Sequence, residues 1–157
     1  MLDLNTPIIP YKGTGIFQLN ANYEEVKHLL KVNNIVYEEE IWNKTDPDHL
    51  WNVIVITKKD SNPQNSAIEL FFAKDRLFKI CLCEDFEGTL PNGIHTGMSI
   101  KDAWKIDKKL RQDDDFDEVY ISPNGYFLEY SNRNLEIMII TIFISAVERD
   151  DFFEYNW

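Results

Sequence analysis

The stretch AIELFFAKDRLFKICLCEDF, residues 67–86, contains two short apolar runs that are separated by a polar turn. In the first run Ile68, Leu70 and Phe72 occupy every second position, which is the period of a strand that buries one face. Lys74 and Asp75 interrupt the pattern, and a second apolar run follows them. The stretch therefore predicts an antiparallel hairpin with its turn near residues 74 and 75.

A helix is predicted on each side of this hairpin. Asn22 can cap NYEEVKHLLKVNN, residues 22–34, and Glu25 stands three residues later, at the spacing of a capping box. Ser99 and Asp102 have the same spacing at the start of SIKDAWKIDKKL, residues 99–110. Both segments carry apolar residues at helical spacing. These are Tyr23, Val26, Leu29 and Leu30 in the first segment, and Ile100, Ala103 and either Ile106 or Leu110 in the second.

Further strand patterns follow both helices. They are IVYEEEIW (35–42) and LWNVIVIT (50–57) before the hairpin, and DEVYIS (117–122), YFLEYS (126–131) and LEIMIITIFISAV (135–147) after the second helix. Short turns at PNG (123–125) and NRN (132–134) separate the later strands. A helix followed by an antiparallel meander buries one sheet face beneath the helix. The sequence therefore predicts an α+β fold with the helices packed on one side of the sheet.

The two helix–meander units resemble each other, which indicates a diverged duplication. GIFQLNANYEEV begins at Gly15 and GIHTGMSIKDAW at Gly93, and in both a Gly-Ile pair precedes the helix cap. We interpret residues 1–157 as a single domain with one repeat at 15–92 and a second at 93–157. Residues 1–14, which contain two prolines, are predicted to be an extended arm.

The charge balance restricts the kinds of partner. The formal net charge is −11, which disfavours binding to nucleic acid and to anionic membranes and favours encounter with basic proteins. Solubility alone is an alternative explanation for such acidity. The N-terminus lacks the pattern of a signal peptide, and the run IMIITIFISAV is too short to span a membrane, so we expect a cytoplasmic location.

Residue types that could carry chemistry do not form a recognisable motif. The three histidines, His28, His49 and His95, have no partners at metal-ligand spacing. Cys81 and Cys83 lie two apart in a strand pattern and are predicted to be small buried residues on one face. No catalytic residue, cofactor or metal is predicted, although a serine nucleophile or carboxylates brought together by the fold remain open.

Two acidic runs carry aromatic residues beside the acids. Carboxylates supply charge, and aromatic rings supply a flat surface, for capturing Arg and Lys side chains. Protection of strand edges against aggregation is the alternative explanation. The longer run lacks the glycine and terminal glutamate of a calcium loop, so metal binding is disfavoured. If the repeat holds, the two runs occupy equivalent places after the two helices and lie near each other or at symmetric positions. The candidate partner-binding residues are Asp113, Asp114, Asp115, Phe116, Asp117 and Glu118, with Glu38, Glu39, Glu40 and Trp42 as second choice.

The remaining aromatic residues are mostly assigned to the core. Trp51 and Trp104 lie in strand or helix patterns, as Trp42 does, and core packing is the commoner role for such residues. The C-terminal stretch differs, because Phe152, Phe153, Tyr155 and Trp157 fall within six residues of one another. We expect this stretch to dock as a last strand, with a partner surface as the alternative.

In overall character the chain resembles an immunity protein of the contact-dependent growth inhibition type. GIHTGMSIKDAW and IELFFAKDRLFKICL are also similar to the helix-then-hairpin units of BLIP-like and outer-membrane assembly lipoprotein folds. The resemblance implies a non-catalytic protein that binds a cognate toxin domain, expected to be a basic nuclease, and covers its active or substrate-binding surface. Two alternatives are a small-molecule site or enzyme in the crevice between the repeats, and an assembly adaptor.

Overall fold

The computed structural model describes residues 2–45, 49–58 and 66–154, except for the side chain of Phe153. Eleven strands and two α-helices, with two short 3-10 helices near the C-terminus, make up the described part. In chain order these are β1 Ile8–Ile9, β2 Gly13–Thr14, β3 Phe17–Gln18, α1 Tyr23–Val32, β4 Glu38–Trp42, β5 Trp51–Thr57, β6 Ser66–Ala73, β7 Arg76–Leu82, α2 Ile100–Ile106, β8 Arg111–Gln112, β9 Val119–Ser122, β10 Tyr126–Tyr130, β11 Ile137–Phe143 and the 3-10 helices Ser145–Glu148 and Phe152–Glu154.

Eight strands form one antiparallel sheet in the order β4-β5-β6-β7-β11-β10-β9-β8. Each half of this sheet is a four-strand meander that follows one helix, and the order of one half mirrors that of the other. The halves join through β7 and β11, where Leu82 pairs with Ile140 and Lys79 with Phe143. The predicted α+β class and antiparallel meanders are confirmed.

Local interactions explain where α1 begins and where the central hairpin turns. The side chain of Asn22 accepts a hydrogen bond from the amide of Glu24 at 2.9 Å, and Glu25 completes the capping box. Between β6 and β7, Lys74 and Asp75 both adopt positive φ, 48° and 61°. Two consecutive left-handed residues give a tight turn whose twist matches that of the flanking strands. The predicted capping box and hairpin are therefore both present.

Both helices pack on the same face of the eight-stranded sheet. The ring of Tyr23 at the start of α1 meets Phe72 of β6 with centroids 5.0 Å apart. Asp107, directly after α2, accepts a hydrogen bond from Ser122 of β9 at 2.6 Å. Leu70 and other alternate residues point to this face, so the main core lies between the sheet and the helices.

Within the predicted extended arm, residues 2–14 are described and pack against the rest of the fold. They include β1 and β2, which with β3 build a small three-stranded sheet. Ile8 is fully buried, and its amide donates to the carbonyl of Thr89 at 2.9 Å. The prolines and glycines of this segment predicted an extended arm that leads into a turn, and the sheet was missed because strands of two residues have too little periodicity to be seen in the sequence.

The second helix is shorter than predicted. It ends at Ile106, and Asp107 turns into an extended conformation with φ −110° and ψ 94°. Ile106 is 45% exposed, whereas Leu110 is buried beyond the helix end. Trp104 is 48% exposed and lies beneath the ammonium group of Lys108, 4.2 Å from its ring centroid. The assignment of Trp104 to the core is therefore wrong.

The C-terminal stretch docks, but its described part is not a strand. Residues 152–154 form a 3-10 helix, and the ring centroid of Phe152 lies 5.4 Å from that of Phe78. The predicted last strand is wrong for these residues. Tyr155 and Trp157, on which the prediction also rested, lie outside the described residues.

Candidate functional site

The two predicted acidic runs lie at opposite ends of the large sheet. Glu38–Trp42 forms the edge strand β4, whereas residues 113–118 connect β8 to β9 at the other edge. Seven strand-to-strand steps separate β4 from β8, which at about 4.8 Å per step is roughly 34 Å. The two runs are also in different positions after their helices, because one forms the first strand and the other precedes the second strand. The two runs therefore do not lie close together and do not belong to corresponding strands, although both lie at an outer edge of a sheet whose strand order is symmetric.

Glu39 points to the helix-covered face and links β4 to α1. It accepts hydrogen bonds from the Tyr23 hydroxyl and from Lys27 Nζ, the latter at 3.2 Å. The hydrogen bond from Tyr23 and the contact with Lys27 hold the pKa of Glu39 below its ordinary value, although burial opposes this. Burial and the same carboxylate raise the pKa of Tyr23. Glu39 therefore has an internal structural role and is poorly placed to contact a partner.

Glu38, Glu40 and Trp42 point to the opposite face of β4, away from the helices. The indole Nε1 of Trp42 donates to Glu40 Oε2 at 2.8 Å. The Trp42 ring also meets Phe71 edge to face, with centroids 5.1 Å apart. Trp42 remains 42% exposed. These contacts hold a large aromatic ring in one orientation at the surface.

The aromatic cluster continues onto the neighbouring strands. Trp51 meets Phe71 with centroids 6.2 Å apart. Lys79 Nζ lies 3.9 Å from the centroid of Phe71 and 5.4 Å from that of Trp51. An ammonium group is thus already bound on the aromatic faces of this cluster. The set that we call the β4 surface comprises Glu38, Glu40, Trp42, Trp51, Phe71 and Lys79.

The edge beside the β4 surface is accessible. All five residues of β4 are exposed. A shallow, open depression of about 650 Å³ follows the strand and its exit turn, and is lined by Glu39, Glu40, Ile41, Trp42, Asn43 and Lys44. An open depression of this kind suits a protein segment better than a small molecule, which needs an enclosed site.

The acidic turn 113–118 uses some of its acids internally. Asp113 Oδ1 accepts hydrogen bonds from the amides of Asp115 and Phe116 at 2.8 and 3.1 Å. Glu118 accepts from the amide group of Asn132. Of the predicted contact residues in this turn, those with exposed side chains not engaged in these hydrogen bonds are Asp114, Asp115, Phe116 and Asp117, with Phe116 64% exposed.

Sequence reasoning missed two charged residues in the middle of the large sheet, on the face that carries the β4 surface. Glu69 and Glu129 are half-buried and alternate with apolar neighbours on β6 and β10. Burial raises the pKa of Glu129, and the nearby carboxylate of Glu69 acts in the same direction against the attraction of Lys79. The available signal was a glutamate among the apolar residues of each strand. Sequence reasoning considered only the alternating apolar residues and did not consider these glutamates.

The cysteines behave as predicted, as small buried residues. Both are free thiols, and burial raises the pKa of Cys81 to about 11 and that of Cys83 to about 12. A thiol with so high a pKa is a poor nucleophile at neutral pH. Within the described ranges, no three His, Cys, Asp or Glu side chains are grouped to hold a metal ion, and no helix has the length and apolarity that crossing a membrane requires.

The predicted crevice between the repeats is closed at the level of the sheet. β7 and β11 are hydrogen-bonded neighbours over four residue pairs, so the two halves share one continuous ladder. The depression at β4 and a second one of about 290 Å³ beside β1 and β2 both lie away from this junction.

His95 does not line either of these two depressions. It is exposed, and its Nδ1 lies 2.7 Å from the carbonyl oxygen of Thr96.

The most strongly bonded carboxylate belongs to the core rather than to a site. Asp107 is 5% exposed, and its Oδ2 accepts hydrogen bonds from Ser122, Asn124 and Tyr126. Its Oδ1 accepts from the amide of Lys109 at 3.0 Å. Burial alone would raise the pKa of Asp107, but these hydrogen bonds hold it below its ordinary value. Both oxygens of the Asp107 carboxylate therefore have hydrogen-bond donors, and these bonds link the end of α2 to the second half of the sheet.

Comparison with known proteins gives a fold relationship without a function. No protein-family model matches the chain, and no curated protein matches it. A solved structure with a similar fold is that of the uncharacterized protein yfeY from Escherichia coli, with a TM-score of 0.61 and 12% sequence identity. The alignment covers 86% of this chain and 98% of that one. Likeness at this identity concerns the fold alone.

Proposed function

We propose that the protein is a non-catalytic binding protein that neutralises a cognate toxin domain in the cytoplasm by covering the toxin's active or substrate-binding surface. The resemblance to immunity proteins suggested this role. The observation that carries the proposal is the β4 surface, where Glu38 and Glu40 share one face of the strand with Trp42 and Glu40 accepts a hydrogen bond from the indole. Acids next to a fixed, exposed indole are suited to binding another protein.

The partner that fits this surface is basic. The chain has a formal net charge of −11, so it attracts a positively charged domain that approaches to within about one Debye length. A nuclease domain holds its substrate through Lys and Arg side chains on its surface. An acidic protein that covers those side chains removes the contacts that the nucleic acid needs.

Trp42 is the proposed anchor of the complex. Residues that dominate binding energy are enriched in Trp, Tyr and Arg, and lie in well-packed patches surrounded by weaker contacts. Phe71 and Glu40 fix the orientation of Trp42, so little side-chain freedom is lost on binding. The acidic turn 113–118 lacks such an anchor, since its aromatic residue Phe116 is 64% exposed. We therefore place the main contact on the β4 surface and treat the turn as a contributor to the long-range field.

A purified basic toxin domain encoded beside the gene of this protein would test the proposal. Association is followed by biolayer interferometry at low and high salt, and toxin activity is measured with and without a stoichiometric amount of the protein. We expect a one-to-one complex, loss of toxin activity, and association that slows as salt rises.

Two double charge-reversal variants test which sheet edge contacts the toxin domain. Glu38→Lys with Glu40→Lys changes the β4 surface, and Asp114→Lys with Asp115→Lys makes the same change in net charge at the opposite sheet edge. The first pair is expected to slow association and speed dissociation, whereas the second slows association only. Absence of a complex at both salt concentrations, or a complex that leaves the toxin active, would contradict the proposal.

A further inference from the structure

The β4 strand offers a free sheet edge that is long enough to receive another strand. It has five residues and contains no proline, and among residues 2–45, 49–58 and 66–154 it pairs with β5 on one side only. Alternate residues of an edge strand direct their amide and carbonyl groups away from the sheet. The opposite edge, β8, has only two residues. Strand addition is therefore favoured at β4 over β8.

We propose that an extended basic segment of the partner adds to β4 as a further strand of the sheet, with positively charged side chains opposite Glu38 and Glu40 and an apolar side chain opposite Ile41. This inference rests on the proposed function, because it concerns how the same partner binds. Main-chain hydrogen bonds supply part of the affinity in strand addition, and alternate side chains supply specificity.

The side chains of β4 determine the chemistry of the added segment. Glu38, Glu40 and Trp42 share one face, and alternate positions on a strand repeat about every 6.8 Å. Lys or Arg at every second position of an extended segment has the same repeat, and an Arg opposite Trp42 would stack on the indole. On the other face Glu39 is already bound by Tyr23 and Lys27, which leaves Ile41, 48% exposed, to contact an apolar residue.

A second copy of this chain fits the edge poorly. Antiparallel pairing that uses all five residues of both β4 strands places Glu40 directly opposite Glu40 of the copy. Like charges opposite each other in a sheet are destabilising, and each copy carries a net charge of −11. The same charges favour a basic strand at this position.

The probe is the blocked pentapeptide Arg-Val-Arg-Val-Arg, whose palindromic sequence allows either strand direction. It is titrated to millimolar concentration into the ¹⁵N-labelled protein and followed by NMR. We expect shifts at residues 38–42, and slower amide exchange, by about tenfold or more, at every second residue of β4. The peptide Glu-Val-Glu-Val-Glu serves as the control and is expected to leave these amides unchanged.

Single N-methylation separates strand addition from binding by side chains alone. One peptide carries the methyl group on the central Arg nitrogen and the other on an adjacent Val nitrogen. In an added strand only one of these amides faces β4. One methylated peptide is therefore expected to bind at least about tenfold more weakly, roughly the loss of one main-chain hydrogen bond, while the other binds within about twofold of the parent.

Each contrary result has a separate meaning. Equal weakening by the two methyl groups, or no shift in β4 at millimolar peptide, overturns strand addition but leaves the proposed function to be judged by the toxin complex. Unchanged peptide binding to the Glu38→Lys, Glu40→Lys variant overturns the location. Dimerisation of the protein alone, seen by analytical ultracentrifugation and lost in that variant, would assign the edge to a second copy.

Discussion

Trp42 donates its indole N–H to Glu40 Oε2 at 2.8 Å, between two side chains that stand two residues apart on one face of an edge strand. The ring would otherwise sample several rotamers at the surface. With Phe71 on its other side, at a centroid distance of 5.1 Å, the indole has a fixed place. A hydrogen bond that contributes little to folding at an exposed position thus fixes the orientation of the ring that we propose as the anchor for the partner.

Replacement of Trp42 by alanine should affect binding more than folding. Because Trp42 is 42% exposed, we expect a loss of about 1 kcal/mol or less in the free energy of unfolding, mainly from the aromatic pair with Phe71. The complex with the toxin domain should lose about 2 kcal/mol or more, roughly thirtyfold in Kd. Urea unfolding and interferometry measure the two quantities. Leu128→Ala is the control, because Leu128 is fully buried in β10, away from the β4 surface, and its loss should cost about 2–5 kcal/mol in stability without weakening the complex formed by the folded protein.

Replacement of Asp107 by asparagine should destabilise the second half of the sheet. Asparagine has one acceptor oxygen instead of two, so it cannot accept both the three side-chain hydrogen bonds at Oδ2 and the backbone hydrogen bond at Oδ1, and its NH2 group must face a donor. We expect a loss of about 3 kcal/mol at neutral pH, measured by urea unfolding. Asp102→Asn removes an exposed carboxylate that pairs with Lys105 at 2.7 Å, and should cost less than about 0.5 kcal/mol. Equal effects of the two substitutions would refute the role given to Asp107.

The difference in unfolding free energy between the wild type and Asp107→Asn should depend on pH, and the direction of this dependence can be predicted. The pKa of Asp107 is lower in the folded protein than its ordinary value, so its contribution is present above the unfolded pKa and is lost as pH falls through the folded pKa. The stability difference between the wild type and Asp107→Asn should be constant from pH 7 to about 5 and shrink below about pH 4. A difference that grows on acidification would contradict this assignment.

The elements that could be predicted from sequence are those with a long local signal. The capping box at Asn22 and Glu25, the alternation in β6 and the polar pair Lys74–Asp75 all act within a few residues of each other. β1, β2, β3 and β8 were missed because a strand of two residues has no period to detect. The early end of α2 depends on Asp107 bonding to β9 and β10, which lie far along the chain.

The candidate site was only partly predictable, for the same reason. Glu38, Glu40 and Trp42 were named from an acid run beside an aromatic residue, but sequence could not show that Glu39 turns to Tyr23 and Lys27. The strand period of two divides three consecutive glutamates between opposite faces. The contacts of Phe71 with Trp42 and with Lys79 depend on the order of β4, β5, β6 and β7 in the sheet, which is a property of topology.

Phe152 should hold the C-terminal stretch on the sheet. It is 5% exposed and packs against Phe78, so Phe152→Ala should cost about 3 kcal/mol in the free energy of unfolding. Phe116→Ala is the matched control, since Phe116 is 64% exposed and its loss should cost less than about 0.5 kcal/mol. Chemical denaturation measures both. If the two variants are equally stable, the stretch contributes nothing to the fold.

Gly125 should tolerate substitution less well than other glycines of similar backbone conformation. Its φ is +88°, and an added Cβ would lie 2.4 Å from ring atoms of Tyr11. Gly93 has φ +87° with nothing within 4 Å of an added Cβ. Both alanine variants therefore carry the strain of a left-handed residue, about 1 kcal/mol, but only Gly125→Ala must also displace Tyr11.

Displacement of Tyr11 by a side chain at position 125 should lower the free energy of unfolding. Tyr11 donates its hydroxyl to the carboxylate of Glu148 at 3.0 Å and meets the ring of Phe143 at 6.0 Å, so it joins the N-terminal sheet to the C-terminal end of β11. We expect Gly125→Ala to cost about 1–3 kcal/mol more than Gly93→Ala in urea unfolding. The additional Tyr11→Ala substitution should relieve the clash, so that Gly125→Ala then costs about the same as Gly93→Ala. If the difference persists without the tyrosine ring, contact between Tyr11 and the β9–β10 turn does not account for the need for glycine.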